Sequence, residues 1–335
     1  MIKAFAATCS AVAIIGGAVS PLPGVGTARA DVTAAYTPAA TVLTLEGGLV
    51  GVQHLVHFTP WQLQGALCKS PNTCQPVDYL ALPGDVYNEK GADLLQQAIA
   101  ALPADGAPVT LFGHSEGGQV IYAALRRWAA DPSTAPDSSR VSWVSIGNPE
   151  NPFGGIVGKL GLKATPRLPA DTAYSGIEVI RQYDGWADFP SDPRNLLAVA
   201  NAVVGALTIH PFYNNVNLDD PNNVRYTPDK PDGTPGNVTY VFVPNPRLPL
   251  IAGTGLLQPA LDKILRPIIE AGYNRPGGAG AVGSAQAVPA AVSASSARAA
   301  TPAKPARAAR SALAKATVQA KATGQARSGT TKNRP

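Results

Sequence analysis

Gly113-His114-Ser115-Glu116-Gly117 fits the pattern G-x-S-x-G. The pattern is weak by itself in a chain holding 33 Gly. Its setting is more specific. The apolar run Val109-Thr-Leu-Phe112 leads into it, and Gln119 to Ala130 leaves it with Val120, Ile121, Ala124 and Leu125 at helical spacing. Strand, tight turn and helix are the surroundings of a nucleophile elbow, which pushes a serine hydroxyl out at the edge of a sheet. The bland alternative is a Gly-rich turn with a capping serine. A serine hydroxyl attacks an acyl carbon only when a base takes its proton.

Histidine is the natural base, and the chain has four. His114 sits inside the elbow, where its side chain is expected to point away. His54 and His57 precede the nucleophile; they either line the mouth of the site or are ordinary surface residues, and the second reading is preferred. In hydrolases built on this elbow the chain order is Ser, acid, His. Only His210 lies downstream, in the loop-like His210-Pro-Phe-Tyr213. The acid is expected on a loop between the two. Ile177 to Tyr183 reads as a strand, and Asp184-Gly-Trp-Ala-Asp188-Phe-Pro190 follows it. Asp184 stands directly off the strand end and Asp188 one short loop further, so both are candidates, with Asp184 slightly ahead. The unused carboxylate is expected to brace the loop through backbone N–H groups. A tetrahedral intermediate also needs fixed donors for its oxyanion. The backbone N–H of Glu116 is one candidate. The loop Glu46-Gly47-Gly48 offers a second at Gly47 or Gly48, where the backbone can approach closely.

These residues need a scaffold that gathers strand ends. Strand-like segments at Thr41–Leu45, Val77–Leu82, Val109–Phe112, Val141–Ile146, Ile177–Tyr183 and Val238–Val243 alternate with helix-like ones. The helices are expected at Asn88–Leu102, Gln119–Ala130, Leu196–Leu207 and Leu256–Ala271. Alternation of this kind implies an α/β fold with a mostly parallel central sheet flanked by helices. Sites in such sheets lie outside the carboxyl ends of the strands, where the motifs fall.

Charge divides the chain into three. Residues 1–30 hold two of the 27 basic residues and residues 276–335 hold nine, with no acid in either. The body 31–275 therefore holds 16 basic residues against 22 acidic, a net −6 beneath an overall +5. The first segment has Lys3, an apolar run from Ala4 to Val19 and the A-x-A site Ala28-Arg29-Ala30. It reads as a cleaved secretory signal peptide. The last segment is rich in Ala, Lys, Arg and Pro without an aromatic residue, and is expected to stay a disordered basic tail. Such a tail suits contact with an anionic envelope surface; nucleic acid is not an expected partner for an exported chain. Removing the signal removes Cys9 and leaves Cys68 and Cys74, a short-range pair expected to form a disulfide in an exported protein. No C-x-x-C or other metal motif appears, no nucleotide motif either, and covalent serine chemistry needs no cofactor.

Beyond the elbow, residues 40–275 resemble the PE-PPE domain family, a cutinase-like group of mycobacterial serine α/β-hydrolases. The resemblance is carried by several blocks. Asn88-Glu-Lys-Gly91 with Leu94 and Ile99 precedes the elbow. Gly147-Asn-Pro-Glu-Asn-Pro-Phe-Gly-Gly-Ile156 follows it. Arg181-Gln-Tyr-Asp-Gly-Trp-Ala-Asp-Phe-Pro190 is the most specific. Asn201 with Gly205, then His210 and Tyr213, then Leu248-Pro-Leu250 and Gly272-Tyr-Asn-Arg275 complete the set. The family resemblance implies esterase or acyltransferase chemistry on lipid substrates, with Ser115, an Asp and His210 as triad. Some exported relatives move acyl chains between trehalose glycolipids. A signal peptide stands here in place of the family's usual N-terminal PE or PPE module. The expectation is thus a secreted serine esterase or lipase acting on acyl esters. An acyltransferase using envelope glycolipids is the alternative, and a non-catalytic envelope-binding protein the second.

Overall fold

A computed structural model describes residues 40–48, 56–162 and 168–276. The expected signal peptide and nearly all of the basic tail lie outside the described residues.

The elements run β1 (Thr41–Leu45), β2 (Thr73–Pro76), α1 (Asp85–Ala100), β3 (Val109–His114), α2 (Glu116–Ala130), β4 (Val141–Ile146), α3 (Ile156–Lys159), β5 (Gly176–Arg181), α4 (Leu196–Thr208), β6 (Val224–Tyr226), β7 (Val238–Val243) and α5 (Gln258–Glu270). The seven strands form one sheet in the order β2-β1-β3-β4-β5-β7-β6. Every pairing is parallel except that of β6 with β7. The chain therefore has the expected fold class, an α/β-hydrolase-like parallel sheet with flanking helices.

The central strands are apolar nearly throughout because both faces are covered. Side chains alternate between two cores. Leu43, Leu111, Trp143 and Phe242 face α1 and α2, meeting Leu95, Val120, Ile121 and Trp128. Val42, Phe112, Val144 and Val241 face the other way and meet Leu63, Leu67, Tyr213 and Val216. This second face is thus closed by the segments around residues 63–67 and 213–218. A third cluster joins Tyr183, Ala198, Ile209, Leu248, Ile251 and Ile269 beneath α4 and α5.

One expected strand is displaced. Residues 77–82 are not a strand; β2 ends at Pro76. Val77, Tyr79 and Ala81 are buried in alternation as the sequence pattern suggests. However, their neighbour β1 ends at Leu45, so after the bond from Val77 N–H to the Thr44 carbonyl the ladder lacks a partner. Tyr79 instead donates its hydroxyl to the Glu46 carbonyl. Cys68 and Cys74 are bonded to one another, their Cα atoms 5.4 Å apart, at the entry to β2.

Candidate active site

Registers align the carboxyl ends of the strands: Leu45 lies beside Gly113, Gly113 beside Ser145, and Ile146 beside Val179. The chain leaves each strand on the same edge, which gathers Glu46, Ser115, Gly147 and Asp184.

Ser115 has φ 54° and ψ −112°, a left-handed conformation costing a non-glycine residue on the order of 1–3 kcal/mol. The elbow can be this tight because of its glycines. A Cβ on Gly117 would stand 2.3 Å from the Leu45 carbonyl oxygen, and one on Gly113 would stand 2.5 Å from the Gly117 carbonyl. Ser115 N–H is anchored to the Ile146 carbonyl at 2.8 Å, and its own carbonyl accepts the Gly118 N–H at 3.0 Å. The hydroxyl is left at the N-terminus of α2, where backbone N–H groups and the helix dipole favour negative charge.

Ser115 Oγ is 2.8 Å from His210 Nε2. His210 Nδ1 is 2.9 Å from both carboxylate oxygens of Asp184. Asp184 is fully buried and also accepts the Tyr213 hydroxyl at 2.7 Å and the Trp186 N–H at 2.9 Å. Burial opposes the charged carboxylate, but the His210 ring together with these donors outweighs it and holds its pKa below the ordinary range.

Asp188 is not brought to His210. Its carboxylate is paired with Arg275 at 2.6 Å, both side chains being buried, and it accepts the Tyr183 N–H at 2.7 Å. The Asp188 carboxylate is held by a cation far along the chain, in a segment that local spacing does not connect to the loop.

Two histidines depart from expectation. The His114 ring does not point away from the site. Its Nε2 is 3.0 Å from the His210 carbonyl, which can only accept, so the proton sits on Nε2. Burial, then the neighbouring His210, pushes the His114 pKa down to about 4, so it is a neutral prop for the His210 backbone. His57 is not an ordinary surface residue, because it lines the cavity over Ser115. His54 lies outside the described residues. Sequence reading gave Tyr213 no chemical role, and its signal was its place beside His210 in the blocks that carry the family resemblance.

Gly47 lies against the nucleophile, close enough that a Cβ there would be 3.1 Å from Ser115 Cβ. Gly48 packs on the Glu116 carboxyl. Burial pushes that carboxyl up to about 7 despite a hydrogen bond from the Leu82 backbone. A cavity of about 940 Å³ opens over Ser115 and His210. Glu46, Gly47, Gly48, His57 and Gln62 supply its polar wall, and Val56, Phe58, Trp61 and Phe212 its apolar one. Site and cavity together suit attack by a serine hydroxyl on an acyl carbon with a bulky apolar substituent.

The chain is 35% identical over 238 residues to "Esterase PE16" of Mycobacterium tuberculosis H37Rv, covering 66% of this chain and 44% of that protein. It is 30% identical over 299 residues to "SL1278 acyltransferase Chp1" of the same strain, covering 81% and 71%. It is 31% identical over 189 residues to "Diacyltrehalose acyltransferase Chp2", covering 50% and 52%. The chain spans less than half the length of Esterase PE16. Among solved structures, a cutinase-like protein from Cryptococcus sp. aligns with TM-score 0.34 and 19% identity, over 46% of this chain and 80% of that one. The model of the PE-PPE domain matches residues 64–274, a span that contains Ser115, Asp184 and His210, and the chain belongs to the PE-PPE domain family.

Proposed function

We propose that this protein is a secreted serine esterase that cleaves acyl esters through an acyl-enzyme on Ser115. The observation that carries the reading is the unbroken line from Ser115 Oγ through His210 to Asp184, opening into a cavity with an apolar wall. His210 Nε2 takes the Ser115 proton as Oγ bonds to the ester carbon. Asp184, at Nδ1, orients the ring and stabilises its cation. The Glu116 N–H and the Gly47 or Gly48 N–H receive the developing oxyanion. The proton then passes to the departing alcohol as the ester C–O bond breaks. Water attacks the acyl-enzyme, gives a proton to His210, and releases the carboxylic acid and free Ser115. Phe58, Trp61, Val56 and Phe212 accommodate the acyl chain. The N-terminal 30 residues supply export by cleavage before Asp31, and the basic tail holds the protein near anionic envelope material.

The second reading is acyl transfer, in which a sugar hydroxyl of an envelope glycolipid replaces water. The likeness to Chp1, extending over 71% of that protein, favours it. A fluorophosphonate probe tests both readings. Ser115 is expected to label in the folded chain, and Ser115→Ala, Asp184→Asn and His210→Ala to label at least 100-fold more slowly. Unchanged labelling of His210→Ala would remove the base. Incubation of long p-nitrophenyl esters with and without a trehalose glycolipid separates the readings: new acylated glycolipid signals transfer, and free acid alone signals hydrolysis.

A further inference from the structure

Helix α4 is built inside out. A surface helix ordinarily turns its large apolar side chains inward and its polar ones to water. Here the inward face is Ala198, Asn201, Ala202 and Gly205, while Leu196 and Leu207 are 76% and 74% exposed and Val203 is 55% exposed. The small inward residues have a reason. α4 lies directly on the loop that presents Asp184: a Cβ on Gly205 would stand 1.8 Å from the Tyr183 carbonyl oxygen, and one on Gly185 would stand 2.0 Å from the Ala202 carbonyl oxygen. Among the described residues the large outward side chains have no such reason, since Lys, Glu or Gln would serve the helix as well without exposing hydrocarbon.

The chain runs from α4 directly to the cavity wall. α4 ends at Thr208, and Phe212, 55% exposed, follows on the cavity wall. Phe58 and Trp61, also exposed, line the same cavity. Both segments are charge-free sequence: no Asp, Glu, Lys or Arg occurs from Asn195 to Leu218 or from Gly47 to Cys68. The body around them is acidic, at net −6. An anionic membrane would repel that body and would call for Lys or Arg on the docking face. An uncharged layer of acyl chains asks for what is present, aliphatic and aromatic side chains without charge. Among the described residues no helix is long and apolar enough to cross a membrane, so α4 would lie in the surface.

We propose that the outer face of α4, with the aromatic rim of the cavity, docks on an uncharged acyl-lipid surface, so that an acyl ester reaches Ser115 without leaving an apolar environment. This deepens the acyl-ester reading and rests on it for the identity of the cargo, while docking itself does not require turnover.

The test is flotation of the chain from Asp31 onward carrying Ser115→Ala with triolein droplets coated in phosphatidylcholine, and with phosphatidylcholine vesicles containing about 30 mol% phosphatidylglycerol, at low and at molar salt. The expected result is flotation with triolein that survives molar salt. The triple variant Leu196→Gln, Val203→Gln, Leu207→Gln is expected to partition at least ~10-fold less, since it removes three apolar side chains that the surface would withdraw from water. The same triple variant with Ser115 intact is expected to hydrolyse water-soluble p-nitrophenyl acetate within about twofold of the unmodified rate, which excludes misfolding. Equal flotation of both chains overturns the proposal. Binding confined to the phosphatidylglycerol vesicles and lost in molar salt also overturns it and assigns attachment to basic residues. A dimer in solution that dissolves in the triple variant, without triolein binding, assigns the face to a second copy and overturns it as well. A chain that floats as expected but leaves the soluble ester intact supports the docking face and removes the esterase reading alone.

Discussion

The Tyr213 hydroxyl donates to Asp184 Oδ2 at 2.7 Å while accepting the Arg181 N–H at 3.1 Å. The tyrosine is fully buried, and Arg181 closes the strand that delivers Asp184. Its bond therefore fixes the carboxylate against β5 and neutralises part of its charge. Tyr213→Phe removes one donor to a buried anion, an interaction of about 1.5–3 kcal/mol. We expect kcat to fall roughly tenfold with KM little changed. An unchanged kcat would reduce Tyr213 to packing.

The two loop carboxylates should separate stability from catalysis. Asp188 and Arg275 form a buried pair, and removing one partner of such a pair costs about 3–5 kcal/mol. Asp188→Asn is expected to lower the melting temperature markedly, with the surviving folded protein still labelled by fluorophosphonate. Asp184→Asn is expected to do the reverse, holding the fold while cutting kcat by about 10⁴-fold. Melting curves and rates measured in the same buffers decide. Similar rate losses in both variants would contradict the assignment of Asp184.

The Glu116 carboxyl, buried beneath Gly48 and near Glu46 and Tyr79, has its pKa pushed up to about 7. Because the folded value lies above the unfolded one, the folded chain holds a proton that the unfolded chain has released between about pH 4.5 and 7. Stability then falls as pH rises through that window. Glu116→Gln cannot ionise and escapes the loss. The variant is expected to gain on the unmodified protein with rising pH, reaching on the order of 2 kcal/mol above pH 7. Denaturant midpoints from pH 5 to 8 test this, and a pH-independent difference would contradict it.

Gly205→Ala places a methyl into the Tyr183 carbonyl contact described for α4. The helix must lift from the acid loop or distort, and overpacking of this kind costs about 1–3 kcal/mol. His210 begins two residues past the helix, and its N–H bonds to the Gly205 carbonyl at 3.1 Å. We expect a lower melting temperature together with slower fluorophosphonate labelling. Destabilisation with an unchanged labelling rate would show that α4 does not set the position of His210.

Much of the site was legible because its logic is local. Val109 to Phe112 is apolar at strand length and the following helix is amphipathic, so the turn between them had to carry Ser115. Chain order then singled out His210. The alternating strands and helices implied a parallel sheet for the same reason: period two and period 3.6 are properties of the backbone, written into neighbouring residues. Residues 77–82 show the limit of that reading. Their alternation of burial is real, yet a strand exists only beside a partner, and β1 stops too early to provide one.

What the tertiary structure alone decided are the pairings between distant side chains. Asp184 and Asp188 are the same residue type on the same loop. They are told apart by Arg275, which claims Asp188, and by Tyr213, which donates to Asp184. His114 is turned toward His210 by a carbonyl 96 positions away. The leucines of α4 face outward, and only the close carbonyls of the acid loop explain why the small residues face in. The sequence by itself determined which residues stand at the carboxyl edge of the sheet, because periodicity sets local backbone form. Which of them touch was left to the packed chain, because a hydrogen bond or ion pair depends on distances in space that sequence spacing does not encode.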